Sequence, residues 1–401
     1  MRPSARVPSR ITIAGSGFAS LFFLIYLLED PPFLPLPGPV RRIRSCLDIT
    51  LIGPHEFVYF PAIPEFLIGA RTPRDIVVDI RPFLRRRGIR FLEDRIANIT
   101  DGGRTVVTAQ NISYANDALF LGTGPTFRKD AIPGTREFTY SPCYGPDDMV
   151  RFATHLDSLT EGVIYIGFAI NKDDDFVAGR TGPLYECACL LDFALRRRGV
   201  RQNFEIHFFS PHRAVGEKGA LTDRLVERGI IMDDGYGPAT FVAGGMTDHD
   251  GHFRRADAIL YSPPMTGPLY ASTAALPRTP GGHIAVDRYG QVPGLTRVLA
   301  AGDCAGHEAS PPWVPHQAHM AKLRAKAAAA NLRQILGGAS PSHRYRHELS
   351  CILDMADDAL WMHRSEDGRP PFHNLFPRRS RRLISVKSTF EKAFLLYLRR
   401  L

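Results

Sequence analysis

The stretch that decides the fold is Ile11-Thr12-Ile13-Ala14-Gly15-Ser16-Gly17-Phe18-Ala19-Ser20. A β-branched run leads into two glycines one residue apart, and apolar residues then continue to Leu28. This spacing predicts a strand, a tight turn and a helix. Gly15 permits the turn and Gly17 lets the backbone approach a pyrophosphate. The start of the helix adds free N–H groups and a partial positive charge. Ser20 stands where this fingerprint has Gly or Ala, so a slightly wider helix–strand spacing is expected. After a Pro-rich loop at residues 30–39, residues 48–52 read as the second strand. An acid often follows such a strand to hold ribose hydroxyls. Here Gly53-Pro54 follow, which leaves backbone groups or Glu56 for that task.

Further along, residues 81–88 read as a basic helix and residues 90–93, 105–109 and 118–121 as short strands. The last strand runs into Gly122-Thr123-Gly124, small residues that permit close backbone approach. From Gly162 the plan repeats, with a strand at 163–166, a helix at 182–198 and a strand at 205–209. The glycine fingerprint is missing from this second unit. Its strand–helix loop, residues 168–181, carries Asp173-Asp174-Asp175, which would repel a pyrophosphate. A Rossmann-like unit that does not bind a nicotinamide cofactor is expected. Strands at 258–261, 283–286 and 298–301 follow, the last ending at Gly302-Asp303, and residues 315–336 form an Ala-rich helix stopped by Gly337-Gly338. The fold class is α/β, with two Rossmann-like domains. Residues 1–140 begin the first domain, 141–280 form the second, 281–340 complete the first, and 341–401 make a C-terminal region.

Composition sets further bounds. A chain of 401 residues exceeds one ordinary core. With 44% hydrophobic and 23% charged residues it is folded rather than disordered. Its longest apolar run, residues 18–28, falls short of the ~20 residues that a spanning helix needs. The fingerprint within that run argues against a signal peptide. Six cysteines without CxxC or zinc-site spacing give no disulfide scaffold, and no metal is expected. The net charge of +9 is concentrated late, at Arg378, Arg379, Arg381, Arg382, Lys387, Lys392, Arg399 and Arg400. Beside these cations, Leu383, Val386, Phe390, Phe394, Tyr397 and Leu401 recur at three-to-four spacing. That pattern predicts a helix lying in a membrane surface. Nucleic-acid binding is not expected, because the basic residues lack a recognised binding fold.

Gly15/Gly17, Gly122-Thr123-Gly124 and Gly302-Asp303, in this order, resemble the FAD-binding triplet of the two-dinucleotide-fold flavoproteins. The resemblance implies FAD held by Gly15, Gly17, Phe18, Ala19, Gly53, Pro61, Ile96, Gly122, Thr123, Gly124, Gly302 and Asp303, with Asp303 on the ribityl chain. Four segments narrow it further: FVYFPAIPEFLIG at 57–69, GPLYECACLLDFALRRRG at 182–199, the region 351–362 around Cys351, and VKSTFEKAFL at 386–395. Together they are similar to sulfide:quinone oxidoreductases, with flavocytochrome c sulfide dehydrogenase and type-II NADH dehydrogenases as cousins. The resemblance covers most of the chain.

It implies electron flow from sulfide, or a related small donor, through FAD to a membrane quinone. Cys143 and Cys351 match the first and last redox cysteines of that family, and Glu186 matches an acid that relays protons near the flavin. Phe372, Phe376, Lys387, Phe390 and Phe394 would meet the quinone and the membrane. His316, His363 and His373 are further proton-donor candidates. The family's middle cysteine is absent, since Arg180-Thr181 stand in its place. Cys187, Cys189 and Cys304 read as buried small residues and Cys46 as structural. A reactive thiol would need a nearby Arg or helix N-terminus to lower its pKa. Two other readings stand beside this one: an NADH:quinone oxidoreductase, and a non-catalytic FAD-bearing subunit of a membrane complex. The chain reads as a peripheral protein of the inner or cytoplasmic membrane, and homo-oligomerisation is left open.

Overall fold

In the computed structural model, residues 8–28, 46–174, 181–211, 220–306, 310–311, 313–366 and 378–400 are described. Strand β1 (Ser9–Ala14) runs into helix α1 (Phe18–Leu27), followed by β2 (Leu47–Ile52), β3 (Arg90–Leu92) and β4 (Ala118–Leu121). The chain then crosses through Thr126–Phe127 into a second unit. There α2 (Pro146–Ser158), β5 (Gly162–Phe168), α3 (Gly182–Arg197), β6 (Phe204–Ser210), β7 (Ile231–Asp234) and β8 (Ala258–Ser262) follow in order. It returns through Met265–Thr266, antiparallel to the outgoing crossing. Strand β9 (Val298–Ala300) and helix α4 (Ala318–Leu336) complete the first unit. The parallel order β9-β4-β1-β2-β3 places β1 at the centre, with Ile11 opposite Ile49 on one side and Ala118 on the other. Every residue of β4 is buried, as parallel strands covered on both faces require. Helix α1 is apolar all round and is buried continuously from Ala19 to Ile25, with α4 packed along it.

The second sheet, β7-β6-β5-β8, is also parallel, so both Rossmann-like units read from the sequence are present. Beyond α4, an antiparallel sheet of β10 (Glu348–Asp354), β11 (Ala359–Ser365) and β12 (Arg379–Ser380) leads into the terminal helix α5 (Arg382–Arg400).

The terminal helix corrects one expectation. The face read as turned to lipid is turned to the core: Leu383, Phe394 and Tyr397 are buried, and Val386 is half-buried. The apolar stripe has a nearer partner than a membrane. Phe394 stacks on Phe22 at 5.1 Å and lies 5.8 Å from Phe57. Tyr397 accepts a hydrogen bond from Arg87 at 3.0 Å. Lys387 is likewise buried rather than placed among headgroups. Phe390, 60% exposed, and Leu396, 46% exposed, remain on the outer side. No helix among the described residues is long and apolar enough to cross a membrane. Phe372, Phe376, His373, Arg180 and Leu401 lie outside the described residues. Because Phe394 fills a closed aromatic cluster, Phe394→Ala is expected to cost about 3–5 kcal/mol by chemical denaturation. Phe390→Ala should stay within about 0.5 kcal/mol of wild type.

Candidate cofactor and redox site

The first unit builds its turn by close backbone approach. Gly15 adopts φ +96°, and a Cβ there would lie 2.4 Å from the Gly122 carbonyl oxygen. Ser20, which departs from the fingerprint, is seated inside the turn. It is fully buried, and its Oγ donates to the Ala14 and Gly122 carbonyls at 3.3 Å each. Gly122 makes this fit possible, since a Cβ on it would sit 2.4 Å from that Oγ. The missing ribose acid also has a steric reason. A Cβ at Gly53 would press to 3.1 Å against the backbone of Gly15 and Ser16. Glu56, the alternative, is an exposed residue on the short strand Glu56–Val58.

A cofactor's pyrophosphate fits at the turn. A Cβ on Gly17 would meet nothing within 4 Å. Helix α1 begins without a side-chain cap and without an acid in its first turn, so its N–H groups and dipole would suit an anion. Gly302 closes the same place, with φ +80° and its missing Cβ directed at Ala19. Thr123 Oγ1 lies 3.0 Å from the Tyr270 hydroxyl. Pro61 sits half-buried on the 3₁₀ segment Phe60–Ile68, and Ile96 half-buried at the start of the strand Ile96–Thr100. Gly15→Ala should therefore yield folded protein lacking flavin absorbance after purification, whereas Gly69→Ala, at an open turn, should retain it.

The second constellation joins four elements. Glu186, early in α3, is buried and accepts the Asp354 N–H of β10 at 3.0 Å. It is also ion-paired with Lys387 of α5. Lys387 Nζ reaches Glu65 Oε1 at 3.2 Å. Beyond Glu65, Arg71 lies 3.6 Å away and donates to Glu391 at 2.8 Å and to Ser388 at 3.1 Å. Burial pushes the Glu186 carboxyl up to about 7, against the opposing pull of Lys387. Two carboxylates outweigh the desolvation of Lys387 and hold its pKa above the ordinary lysine value. The site is therefore a buried acid poised near neutrality, with a cation between it and a second carboxylate.

Cys351, on β10, belongs to the same neighbourhood. Burial first, then the Glu186 carboxylate, pushes its thiol up to about 12. This is opposite to the lowered pKa expected of a reactive thiol, because burial and the Glu186 carboxylate outweigh the pull of Lys387. Cys143 is buried ahead of α2, with Sγ 3.4 Å from Ser262 Oγ. Neither cysteine is in a disulfide. Cys187 and Cys189 are wholly buried in α3, and burial raises both thiols. Cys304 donates to the Ala301 carbonyl at 3.2 Å. His316 lies not with Glu186 but beside Asp303, at 3.6 Å, and the His363 ring lies tilted against Trp361 at 5.7 Å.

Glu65, Arg71 and Glu391 escaped the sequence reading. A lone acid inside FVYFPAIPEFLIG was a usable signal, since a carboxylate in an apolar run is buried only when paired. Glu391, four residues after Lys387, was another.

No family model matches the chain. It is 26% identical over 380 residues to the sulfide-quinone reductase of Aquifex aeolicus, covering 89% of this chain and 86% of that one. An NADH dehydrogenase-like protein of Mycobacterium tuberculosis is also 26% identical, over 74% of this chain and 73% of its own. Among solved structures, the Aquifex aeolicus sulfide:quinone oxidoreductase superposes with TM-score 0.82 at 23% identity, over 98% of this chain and 91% of that one. The NDH2 of Plasmodium falciparum, solved with NADH, superposes with TM-score 0.70 at 12% identity, covering 97% of both chains.

Proposed function

We propose that this chain, an FAD-dependent oxidoreductase of the flavoprotein group that includes sulfide:quinone and type-II NADH:quinone oxidoreductases, oxidises sulfide or a related small donor and reduces a membrane quinone. FAD supplies two-electron acceptance and release when bound. In the overall reaction HS⁻, a proton and quinone give zero-valent sulfur and quinol. The observation that carries this reading is the meeting of Cys351, Glu186 and Lys387 beneath the terminal helix.

Each residue then has a task. Gly15, Gly17, Gly122, Gly302 and Asp303 hold the cofactor. Cys143 and Cys351 take up the donor's sulfur in a two-cysteine scheme, since no cysteine precedes α3 at position 180 or 181. Glu186 delivers a proton toward the quinone, and the Lys387 cation stabilises the carboxylate left behind. The exposed Phe390 and Leu396, flanked by exposed Arg382, Lys392 and Arg399, form the edge that rests on the lipid surface.

NADH as donor is the second reading, favoured by the likeness to the mycobacterial protein. The loop after β5 speaks against it. Asn171 ties this loop to the Met265 and Gly281 carbonyls at 3.0 and 2.9 Å, and the loop presents Asp173 and Asp174 in place of a glycine turn. The test is anaerobic mixing of the FAD-loaded protein with sulfide and with NADH separately. Bleaching by sulfide and silence with NADH is the expected result. Bleaching by NADH alone would replace the donor, and silence with both would favour the non-catalytic subunit.

A further inference from the structure

Away from the Glu186 cluster, three buried side chains converge where the two units meet. Asp174 comes from the loop after β5, His283 from just before the short strand Ile284–Ala285, and His316 from just before α4. Their side chains are 7%, 0% and 2% exposed. The loop is seated firmly. Asn171 bonds two carbonyls of the opposite segment, and a Cβ on Gly281 would come within 2.9 Å of Asp174 Cγ. Only glycine at 281 lets the carboxylate lie down on the first unit.

Both imidazoles lie beside Asp303. His283 Nδ1 lies 3.0 Å from the Asp303 carbonyl oxygen. A carbonyl can only accept, so Nδ1 carries the proton and Nε2 faces Asp174 Oδ2 at 2.9 Å. His316 Nδ1 lies 3.6 Å from the Asp303 carboxylate. The bond behind His283 is the kind that fixes tautomer and direction in metal-bound histidines, and the same Asp303 lies near His316. The rings are 5.0 Å apart, and one ligand atom from each of the three residues lies within 4.8 Å of the others. Zinc–nitrogen bonds of about 2.0–2.1 Å draw tetrahedral ligand atoms to roughly 3.4 Å separation, which small side-chain rotations reach from here.

We propose that Asp174, His283 and His316 bind a zinc-class divalent cation, with water at the fourth position. Two neutral imidazoles and one carboxylate are a borderline donor set suited to zinc, and burial excludes the larger, oxygen-seeking cations. The cation would pin the second unit's strand–helix loop to the first unit. No zinc spacing appears in the sequence because the ligands come from distant segments, with Asp174 and His283 109 positions apart.

The test uses the FAD-loaded full chain, stripped with a chelator, dialysed and titrated with Zn²⁺ or Co²⁺. Metal content is measured by mass spectrometry and stability by thermal unfolding. One zinc per chain and a raised Tm are expected. Asp174→Asn and His316→Ala should each weaken zinc binding roughly tenfold or more while flavin content stays at the wild-type level. Asp174→Asn preserves size, so it reports on the metal even if His316→Ala folds poorly. Absence of bound metal and of any Tm shift with either cation in the wild type would overturn the proposal and leave the cluster a His–Asp ion pair. Zinc retained by both variants would overturn it as well.

Discussion

Lys387→Met is expected to destabilise the protein by about 3–5 kcal/mol and to slow quinone reduction by roughly 10²-fold or more. The substitution removes a buried cation that stands between Glu186 and Glu65 and keeps the side chain's length. Two carboxylates would be left buried beside Cys351 and Asp354, and neither can leave without dragging α3 or the segment Phe60–Ile68. Flavin content should not change, because Lys387 lies on the terminal helix and not on the glycine turn. Glu186→Gln separates stability from chemistry. The amide can still accept the Asp354 N–H, but it cannot deliver a proton.

Its pH behaviour has a definite sign. The folded Glu186 carboxyl is raised from 4.5 to about 7, so the folded state holds that proton more tightly than the unfolded chain. Its stabilising contribution is full below about 4.5 and is lost as pH rises through about 7. Stability should therefore fall less steeply across this window in Glu186→Gln than in the wild type, measured by denaturation midpoints at stepped pH. The limb of the quinone-reduction profile near 7 should vanish with the same substitution.

Cys351→Ser is expected to slow sulfide-driven flavin reduction by roughly 10³-fold or more while leaving FAD bound. A hydroxyl keeps the size of the thiol but cannot store zero-valent sulfur. Cys143→Ser should do the same if the two cysteines share the sulfur, whereas Cys187→Ser and Cys189→Ser should lower stability with flavin reduction retained. Chemical photoreduction of the flavin in Cys351→Ser should still be followed by normal quinone-dependent reoxidation, since the acid and the lysine are untouched. A wild-type rate of sulfide-driven bleaching in Cys351→Ser would remove this cysteine from the reaction.

The parts legible in the sequence were those set by local rules. ITIAGSGFAS specified a strand, a turn and a helix because glycine and β-branched residues act within a few positions. The apolar run Ala118–Leu121 read as a short strand, and it is one, buried at every residue. What escaped depends on partners far along the chain. Periodicity in α5 announced an apolar face, but the same stripe serves a membrane or a core, and Phe18, Phe22 and Phe57 claimed it. Lys387 read as a headgroup cation because nothing local marks its pairing with Glu186, 201 positions away. Ser20 looked like a misfit until Gly122, 102 positions on, was seen to make room for it.

The most direct measurement starts without any donor. The flavin of the purified protein is photoreduced anaerobically, and a water-soluble quinone is then added while absorbance is followed. Rapid reoxidation with one quinol formed per flavin, slowed in Glu186→Gln, is the predicted result. A reduced flavin that persists in excess quinone, yet is reoxidised by another acceptor, would contradict electron transfer to quinone through this site.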